Sequence, residues 1–211
     1  MTVSTFNTEF GIFDLPRDDH QGKTFENLGH YEGGFINRIL ADTPRGGTAI
    51  DVGACFGAHS IPYAGHFDHV YAIEPNPIVL PFLERNANQN GCENISVMPI
   101  AVLDRRGTAY TDTPDMTNLG HTVISHTHGM SAIDVATIDE LDLPGPVRLI
   151  KIDAEGKEAA VIRGAARTIL KHRPVLFVEW SGAWTGIFDH FLRGLEYRQA
   201  HRLSKNILFI P

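Results

Sequence analysis

The sequence predicts an α/β fold in which a mostly parallel sheet carries helices on both faces. Short apolar segments alternate with segments of helical periodicity between residues 48 and 180, as expected for parallel strands joined by helices. A glycine-containing turn follows the first apolar segment, in "AIDVGACFGAHS" at 49–60. Acidic residues end four of the apolar segments, and α/β proteins bind their ligands at the edge of the sheet where such strands end.

The predicted elements cover most of the chain. Strands are expected at 48–52, 70–73, 95–102, 147–153 and 174–180, and an antiparallel hairpin is expected over "EYRQAHRL" and "NILFIP" at the end. Helices are expected at 32–40, from about Ala58, from Asn76 to about Asn90, and over 155–173. Asn76 followed by Pro77 is a favourable helix start, and Gly91 is a favourable stop.

The composition indicates one globular domain. The chain has 211 residues, of which 43% are hydrophobic and 20% charged. The first 28 residues are polar and rich in turn formers, so we expect an N-terminal arm or lid over 1–30 and a single domain over 31–211. The region 104–135 lacks helical periodicity and is expected to be a variable insertion on the substrate side, with hairpin strands laid over the sheet edge.

The net charge of −7 argues against a nucleic-acid partner, because phosphate binding needs concentrated Lys and Arg. No apolar run approaches the ~20 residues that span a bilayer, and the N-terminus lacks the features of a signal peptide. Cys55 and Cys92 are not in a paired spacing. We therefore expect a cytoplasmic protein with no membrane partner. The sequence makes no prediction about oligomeric state.

The glycine turn discriminates between cofactors. Asp51 precedes Gly53 by two residues and Gly57 follows four later, which differs from the G-x-G-x-x-G spacing of a dinucleotide loop. A carboxylate at Asp51 opposes a pyrophosphate but suits the ammonium and sulfonium of S-adenosylmethionine. Glu74, roughly 20 residues later, can accept hydrogen bonds from ribose hydroxyls in either kind of enzyme. The turn therefore favours S-adenosylmethionine over NAD.

Four segments in order resemble the motifs of the FkbM-type methyltransferases: "IDVGACFGAHS", "VYAIEPNPIVLPFLERNANQNG", "VMPIAVLDRRG" and "LIKIDAEGKEAAVIRGAARTILKHRPVLFVE". The resemblance covers roughly Tyr31 to Glu179, and its most specific block is "IKIDxEGxE". It implies a Rossmann-like class I methyltransferase with a seven-stranded sheet, S-adenosylmethionine as cofactor, S-adenosylhomocysteine as product, and O-methylation as the usual reaction. The sequence departs from the family pattern at Cys55, Phe56 and Lys157, and the segment 108–132 matches no motif.

Carried over onto this sequence, the resemblance implies a cofactor site around the glycine turn. The methionine end of the cofactor would lie against Asp51, Gly53, Ala54 and Gly57, with Ser60 capping the next helix or touching the carboxylate. Glu74 would hold the ribose, Pro75 and Asn76 would lie beside the adenine, and Ala101 and Val102 would line the adenine pocket. Glu32 matches an acidic position that faces the cofactor or the substrate.

Three acids are candidates for a general base. Methyl transfer is an in-line displacement, so the protein acts mainly by positioning, and a base assists a hydroxyl nucleophile. Asp153 ends the fourth strand, where the methyl group should emerge, and is the first candidate; Glu155 and Glu179 follow. Alternatively, Asp153 only orients the cofactor, and Glu155 only complements a helix dipole.

Other polar and aromatic residues near the expected site have open roles. His121, His126 and His128 could bind a divalent metal with Asp153, supply a substrate contact or a base, or simply lie at the surface, so no metal ligand is assigned. Trp180 and Trp184 are expected either to wall the acceptor pocket or to pack in the core.

The predicted function is methyl transfer from S-adenosylmethionine to a hydroxyl on a small molecule or carbohydrate. One alternative is a protein of the same fold that binds the cofactor or a partner without turnover. A second alternative is a nicotinamide oxidoreductase. A nucleic-acid methyltransferase would usually carry an aromatic-proline tetrapeptide after the fourth strand, where this chain has "DAEG".

Overall fold

A computed structural model describes residues 2–179, 186–203 and 205–211, without the side chains of 186–189 and 203. The elements in chain order are β1 (Val3–Thr8), β2 (Gly11–Pro16), α1 (His20–Leu28), α2 (Gly33–Asp42), β3 (Thr48–Val52), α3 (Ser60–Ala64), β4 (His69–Ile73), α4 (Leu80–Gln89), β5 (Ile95–Met98), β6 (Ala101–Val102), β7 (Gly107–Asp112), β8 (Val123–Ser125), β9 (Ser131–Ala136), β10 (Val147–Ile152), α5 (Glu158–Gly164), α6 (Ala166–His172), β11 (Val175–Glu179), α7 (Gly186–Gly194), β12 (Arg198–Leu203) and β13 (Asn206–Ile210).

A seven-stranded sheet forms the centre of the described part of the chain, in the order β12-β13-β11-β10-β3-β4-β5. The strands from β11 to β5 pair in parallel, whereas β13 runs antiparallel to β11 and forms a hairpin with β12. The predicted fold class, an α/β fold with a mostly parallel sheet and a closing antiparallel hairpin, is confirmed. The carboxyl ends of β3, β4, β10 and β11 therefore lie at one edge.

Both faces of the sheet are covered, which is why its central strands are rich in apolar residues. All five residues of β3 are buried. On one face, Val161 and Ile162 of α5 and Ile169 of α6 pack against the strands. On the other face, Ile39 of α2 and Tyr63 of α3 pack against a second set of strand residues.

A second sheet of four strands, in the order β6-β9-β7-β8, is built largely from the region predicted to form hairpins over the sheet edge. The predicted third strand over 95–102 is wrong in its extent. The central sheet keeps only Ile95–Met98, and Ala101–Val102 pairs with β9 instead. Pro99 falls at the change of sheet, where its missing N–H cannot extend a ladder.

Residues 3–28 form a hairpin and a helix that pack on the domain. Phe13 and Leu15 of β2 and Phe25 of α1 are buried in a cluster with Phe56. The backbone of β2 is also held by α4, because the Asp14 amide donates to Asn86 Oδ1 at 2.8 Å.

Two helices begin later in the chain than the sequence predicts. The Asn76 side chain accepts from the Ile78 amide at 2.9 Å, which makes a turn, and α4 follows only from Leu80. The helix predicted over 155–173 begins at Glu158 and breaks at Ala165. The break allows Asp139 Oδ1 to accept the Thr168 amide of α6 at 2.8 Å.

Gly164, just before this break, packs directly against the backbone after β6. A Cβ at Gly164 would lie 2.0 Å from the Leu103 carbonyl oxygen, whereas a Cβ at Gly107 would meet nothing within 4 Å. We expect Gly164→Ala to lower the free energy of unfolding by ~1–3 kcal/mol through overpacking. Urea denaturation of Gly164→Ala and of the control Gly107→Ala measures the difference. Equal stability of the two variants would contradict the close approach.

Candidate active site

Two adjoining cavities lie at the carboxyl ends of β3, β4 and β10. One is a narrow apolar cleft, lined among others by Ile73, Pro75, Ile100, Ala101, Val102 and Leu103. The other is a polar cavity of about 330 Å³, lined among others by Gln21, Tyr31, Ala54, Lys151 and Glu179. Both cavities are lined by Gly53, Glu74, Gly120, Asp153 and Glu155. A single elongated ligand can therefore occupy both.

The glycine turn after β3 brings two strand ends into contact. Gly53 has φ of 76°, and a Cβ there would lie 2.0 Å from the Asp153 carbonyl oxygen. The amides of Gly53 and Ala54 both donate to the Ile73 carbonyl, at 3.0 and 3.1 Å. Glycine is required at this position because of both the backbone angle and the close approach of β10.

A buried lysine, Lys151 of β10, ties the turn together. Its ammonium donates to the Gly53 carbonyl at 2.7 Å and lies 3.1 Å from Asp51 Oδ1 and 3.8 Å from Asp153 Oδ2. Burial favours the neutral amine, but the two carboxylates outweigh it and raise the pKa of Lys151 above its usual value. The side chain therefore stays charged. Sequence reasoning missed Lys151, although a lysine within the apolar run "LIKI" was a usable signal.

Five of the predicted cofactor residues line neither cavity. Asp51 is fully buried and accepts from Ser60 Oγ at 2.6 Å on one oxygen while facing Lys151 on the other. Asn76 points toward the loop that follows β7 and donates to Thr122 Oγ1 at 2.9 Å. These five residues are Glu32, Asp51, Gly57, Ser60 and Asn76; the seven that do line a cavity are Gly53, Ala54, Glu74, Pro75, Ala101, Val102 and Asp153.

Glu74, at the end of β4, lies where the two cavities meet. Its oxygens accept the Asn76 amide at 2.8 Å and the Cys55 amide at 2.9 Å, and the residue is 5% exposed. Burial outweighs these hydrogen bonds and raises the pKa of Glu74 to about 7. The fixed carboxylate has lone pairs left to accept hydrogen bonds from a ligand.

The raised pKa of Glu74 predicts a pH-dependent stability. The group has an ordinary value of 4.5 and a folded pKa of about 7, so its contribution is fully present below pH 4.5 and is lost as the pH rises through 7. In the wild-type protein we expect this group to lower the free energy of unfolding by roughly 3 kcal/mol between pH 4.5 and 8. In Glu74→Gln this decline should be absent. Urea denaturation across this range measures it, with the exposed Glu93→Gln as control. Parallel pH profiles for wild type and Glu74→Gln would contradict the assignment.

All three candidate bases, Asp153, Glu155 and Glu179, line the polar cavity. Burial first, and then the charge of Asp153, raise the pKa of Glu179 to about 8. The same two causes raise the pKa of Glu155, whose backbone is left-handed at φ of 46°. A carboxyl group with a pKa of about 8, such as that of Glu179, can gain and lose a proton near neutral pH.

A hydrogen-bonded chain that the sequence did not predict fixes the segment before α2. Glu32 has φ of 54°; its Oε2 lies 3.0 Å from His59 Nε2, and its Oε1 accepts from Asn206 Nδ2 at 2.6 Å. His59 Nδ1 lies 2.9 Å from Tyr63 Oη. These contacts hold Tyr31, the residue before Glu32, at the polar cavity.

The histidines of the 104–135 region are separated. His121 lines the polar cavity with its Nε2 3.7 Å from Glu155, whereas His126 and His128 are exposed. Within the described ranges, no group of three or more His, Cys, Asp or Glu residues is arranged to hold a metal ion. Trp180 and Trp184 lie outside the described residues. No helix in the described part of the chain combines the length and apolar character needed to span a bilayer.

The strand order, the glycine turn after β3 and the buried acid after β4 define the class as a Rossmann-like methyltransferase. Residues 51–201 match the family model described as the methyltransferase FkbM domain. The chain belongs to this FkbM methyltransferase family, so the resemblance found in the sequence is confirmed. Membership implies S-adenosylmethionine as the cofactor. No curated protein sequence matches the chain.

Solved structures support the fold. The methyltransferase FkbM from Methylobacillus flagellatus KT has a TM-score of 0.58 and 22% identity, over 79% of this chain and 44% of that one. This chain thus spans less than half of that relative. An rRNA methylase from Streptococcus thermophilus has a TM-score of 0.54 and 12% identity, over 83% and 92% of the two chains. A putative methyltransferase from Streptococcus mutans, solved in complex with SAH, has a TM-score of 0.50 and 10% identity, over 83% and 93%.

Proposed function

We propose that this protein transfers a methyl group from S-adenosylmethionine to a hydroxyl oxygen of a small molecule or carbohydrate. The observation that carries the proposal is the polar cavity, in which Asp153, Glu155 and Glu179 face a space that continues into the apolar cleft at Glu74. The cofactor would lie with its adenosine in the cleft and its methionine end at Gly53 and Ala54 in the polar cavity, and an acceptor in the rest of that cavity would meet the methyl group beside Asp153.

The residues present suit S-adenosylmethionine. Glu74 would accept hydrogen bonds from the ribose, and the apolar cleft residues Ile100, Val102 and Leu103 would pack on the adenine. The carboxylates around the polar cavity would favour a ligand that carries an ammonium and a sulfonium. When bound, S-adenosylmethionine supplies a methyl group that is already activated by the sulfonium for in-line displacement.

The protein's own contribution is positioning and proton removal. Lys151 holds both the Gly53 carbonyl and Asp153, so the turn and the candidate base keep a fixed relation. Asp153 would accept the proton of the acceptor hydroxyl on a carboxylate oxygen. Glu179, whose pKa of about 8 keeps it mostly protonated at neutral pH, would donate a hydrogen bond to Asp153.

The charge of the cavity disfavours an anionic acceptor. A phosphorylated or nucleic-acid acceptor would meet the carboxylates of Asp153 and Glu155 at the point of transfer, and of the two lysines at this cavity Lys151 is already paired with Asp51 and Asp153. A neutral hydroxyl compound meets no such repulsion. The proposed acceptor therefore differs from the rRNA named for one of the structural neighbours.

The test is a turnover assay with radiolabelled S-adenosylmethionine and a panel of neutral sugars, phenols, amines and an RNA oligonucleotide. We expect product only with hydroxyl compounds and a methyl ether in its NMR spectrum. A labelled amine or RNA would contradict O-methylation of a small molecule. Cofactor binding without any turnover across the panel would favour the alternative of a binding protein.

A further inference from the structure

The side-chain carbonyl oxygen of Gln21, in the first turn of α1, is buried without a hydrogen-bond partner. The residue is 7% exposed and lines the polar cavity. Its Oε1 atom makes no hydrogen bond with any residue that the structure describes. Buried polar groups in native proteins nearly always have a partner, so an orphan amide beside a cavity indicates that a ligand supplies one.

Gln21 is held firmly in place. Asp19 is 2% exposed. Its Oδ1 accepts a hydrogen bond from the backbone N–H of Gln21 at 2.8 Å, and its Oδ2 accepts one from the backbone N–H of Leu119 at 2.7 Å. The His20 amide donates to the Thr117 carbonyl at 2.8 Å. The start of α1 and the loop around 117–121 thus form one wall of the cavity, and the Gln21 side chain is presented from that wall.

Tyr31 supplies a second unpaired polar group to the same cavity. Its phenol makes no side-chain hydrogen bond within the described ranges, and its neighbour Glu32 is anchored by His59 and Asn206. Burial, and then the charges of Glu32 and Asp153, raise the pKa of Tyr31 far above its usual value. The phenol therefore stays neutral and is a hydrogen-bond donor at every working pH.

We propose that Gln21 and Tyr31 bind the methyl acceptor by hydrogen bonding to two neighbouring hydroxyl groups of an uncharged polyol. An amide can accept from one hydroxyl with Oε1 and donate to the next with Nε2, and a phenol can donate to either. The carboxylates of Asp153 and Glu155 in the cavity disfavour an anionic group such as phosphate at this subsite. The inference rests on the proposed function, since it assigns the acceptor side of the same site.

The test compares Gln21→Met and Tyr31→Phe with the matched controls Gln199→Met on β12 and Tyr110→Phe on β7. The probes are methyl hexopyranosides, their monodeoxy analogues and their 6-phosphates. Each enzyme is assayed for methyl transfer, for binding of S-adenosylhomocysteine by calorimetry, and for glycoside binding by saturation-transfer NMR with S-adenosylhomocysteine present. Melting curves verify that each variant is folded. If Gln21→Met does not fold, the comparison is made with Tyr31→Phe alone.

For a glycoside that the wild-type enzyme methylates, we expect each cavity variant to have a KM roughly tenfold or more above that of wild type. Such a change corresponds to the loss of one buried hydrogen bond. The affinity for S-adenosylhomocysteine should change by less than about twofold, the controls should match wild type, and the 6-phosphates should not bind. For a deoxy analogue that lacks the recognised hydroxyl, Gln21→Met should raise KM much less. This non-additivity distinguishes direct contact from a structural effect.

Three outcomes would overturn the inference while leaving cofactor binding intact. They are an unchanged KM in both variants, an equal loss of S-adenosylhomocysteine affinity and acceptor affinity, and binding of no glycoside to the wild-type protein with S-adenosylhomocysteine present. Failure of the wild-type protein to bind S-adenosylhomocysteine is a different result, because it would refute the proposed function itself.

Discussion

Replacement of Asp153 by asparagine should lower kcat by about 10²–10⁴-fold, the range for loss of a positioned base. The affinity for S-adenosylhomocysteine should stay within about threefold of wild type, because asparagine keeps the size of the side chain and the Asp153 carbonyl still contacts the glycine turn. Steady-state kinetics with an identified acceptor and calorimetric titration measure the two quantities.

A control for this prediction is Asp104→Asn, which removes a surface carboxylate paired with Arg163 at 3.0 Å, outside both cavities. We expect it to match wild type in kcat and in cofactor affinity. If Asp153→Asn weakens cofactor binding as much as it slows turnover, Asp153 orients the cofactor and Glu179 or Glu155 becomes the candidate base.

Replacement of Lys151 by methionine should have the largest effect on stability. The change leaves Asp51 fully buried without its cation and removes the donor to the Gly53 carbonyl. Loss of one partner of a buried ion pair typically costs about 3–5 kcal/mol. We expect the free energy of unfolding in urea to fall by that amount and the affinity for S-adenosylhomocysteine to fall with it.

A double-mutant cycle makes the Lys151 prediction specific. Asp51→Asn removes the orphaned charge, so the variant with both changes should recover part of the stability that Lys151→Met alone loses. Lys171→Met, on the exposed end of α6, is the matched control and should be close to neutral. Additive effects of Lys151→Met and Asp51→Asn would show that the buried pair is not coupled.

The sheet could be predicted from the sequence because its strands are buried on both faces. β3 and β10 are rich in apolar residues, and the glycine and acidic residues that follow them mark where they end. The extent of the third strand could not be predicted, because nothing local shows that Ala101 and Val102 pair with β9, a strand about 30 residues later.

The site was predictable at the glycine turn and at the strand ends, where position along the chain fixes position in space. The roles of Asp51 and Lys151 were not, because their pairing depends on the register of β3 against β10, in which the two residues are direct neighbours. Gln21 and Tyr31 reach the cavity only through long-range contacts such as that of Asp19 with the Leu119 amide. Such contacts leave no local signal.

The most direct test of the account is calorimetric titration of the protein with S-adenosylhomocysteine and, in parallel, with NAD. We expect one S-adenosylhomocysteine site and no binding of NAD. We expect at least tenfold weaker binding of S-adenosylhomocysteine by Glu74→Ala, which loses the buried carboxylate between the two cavities. Binding of NAD without S-adenosylhomocysteine would contradict the assignment of the glycine turn. Full affinity in Glu74→Ala would show that the cofactor does not lie where the two cavities meet.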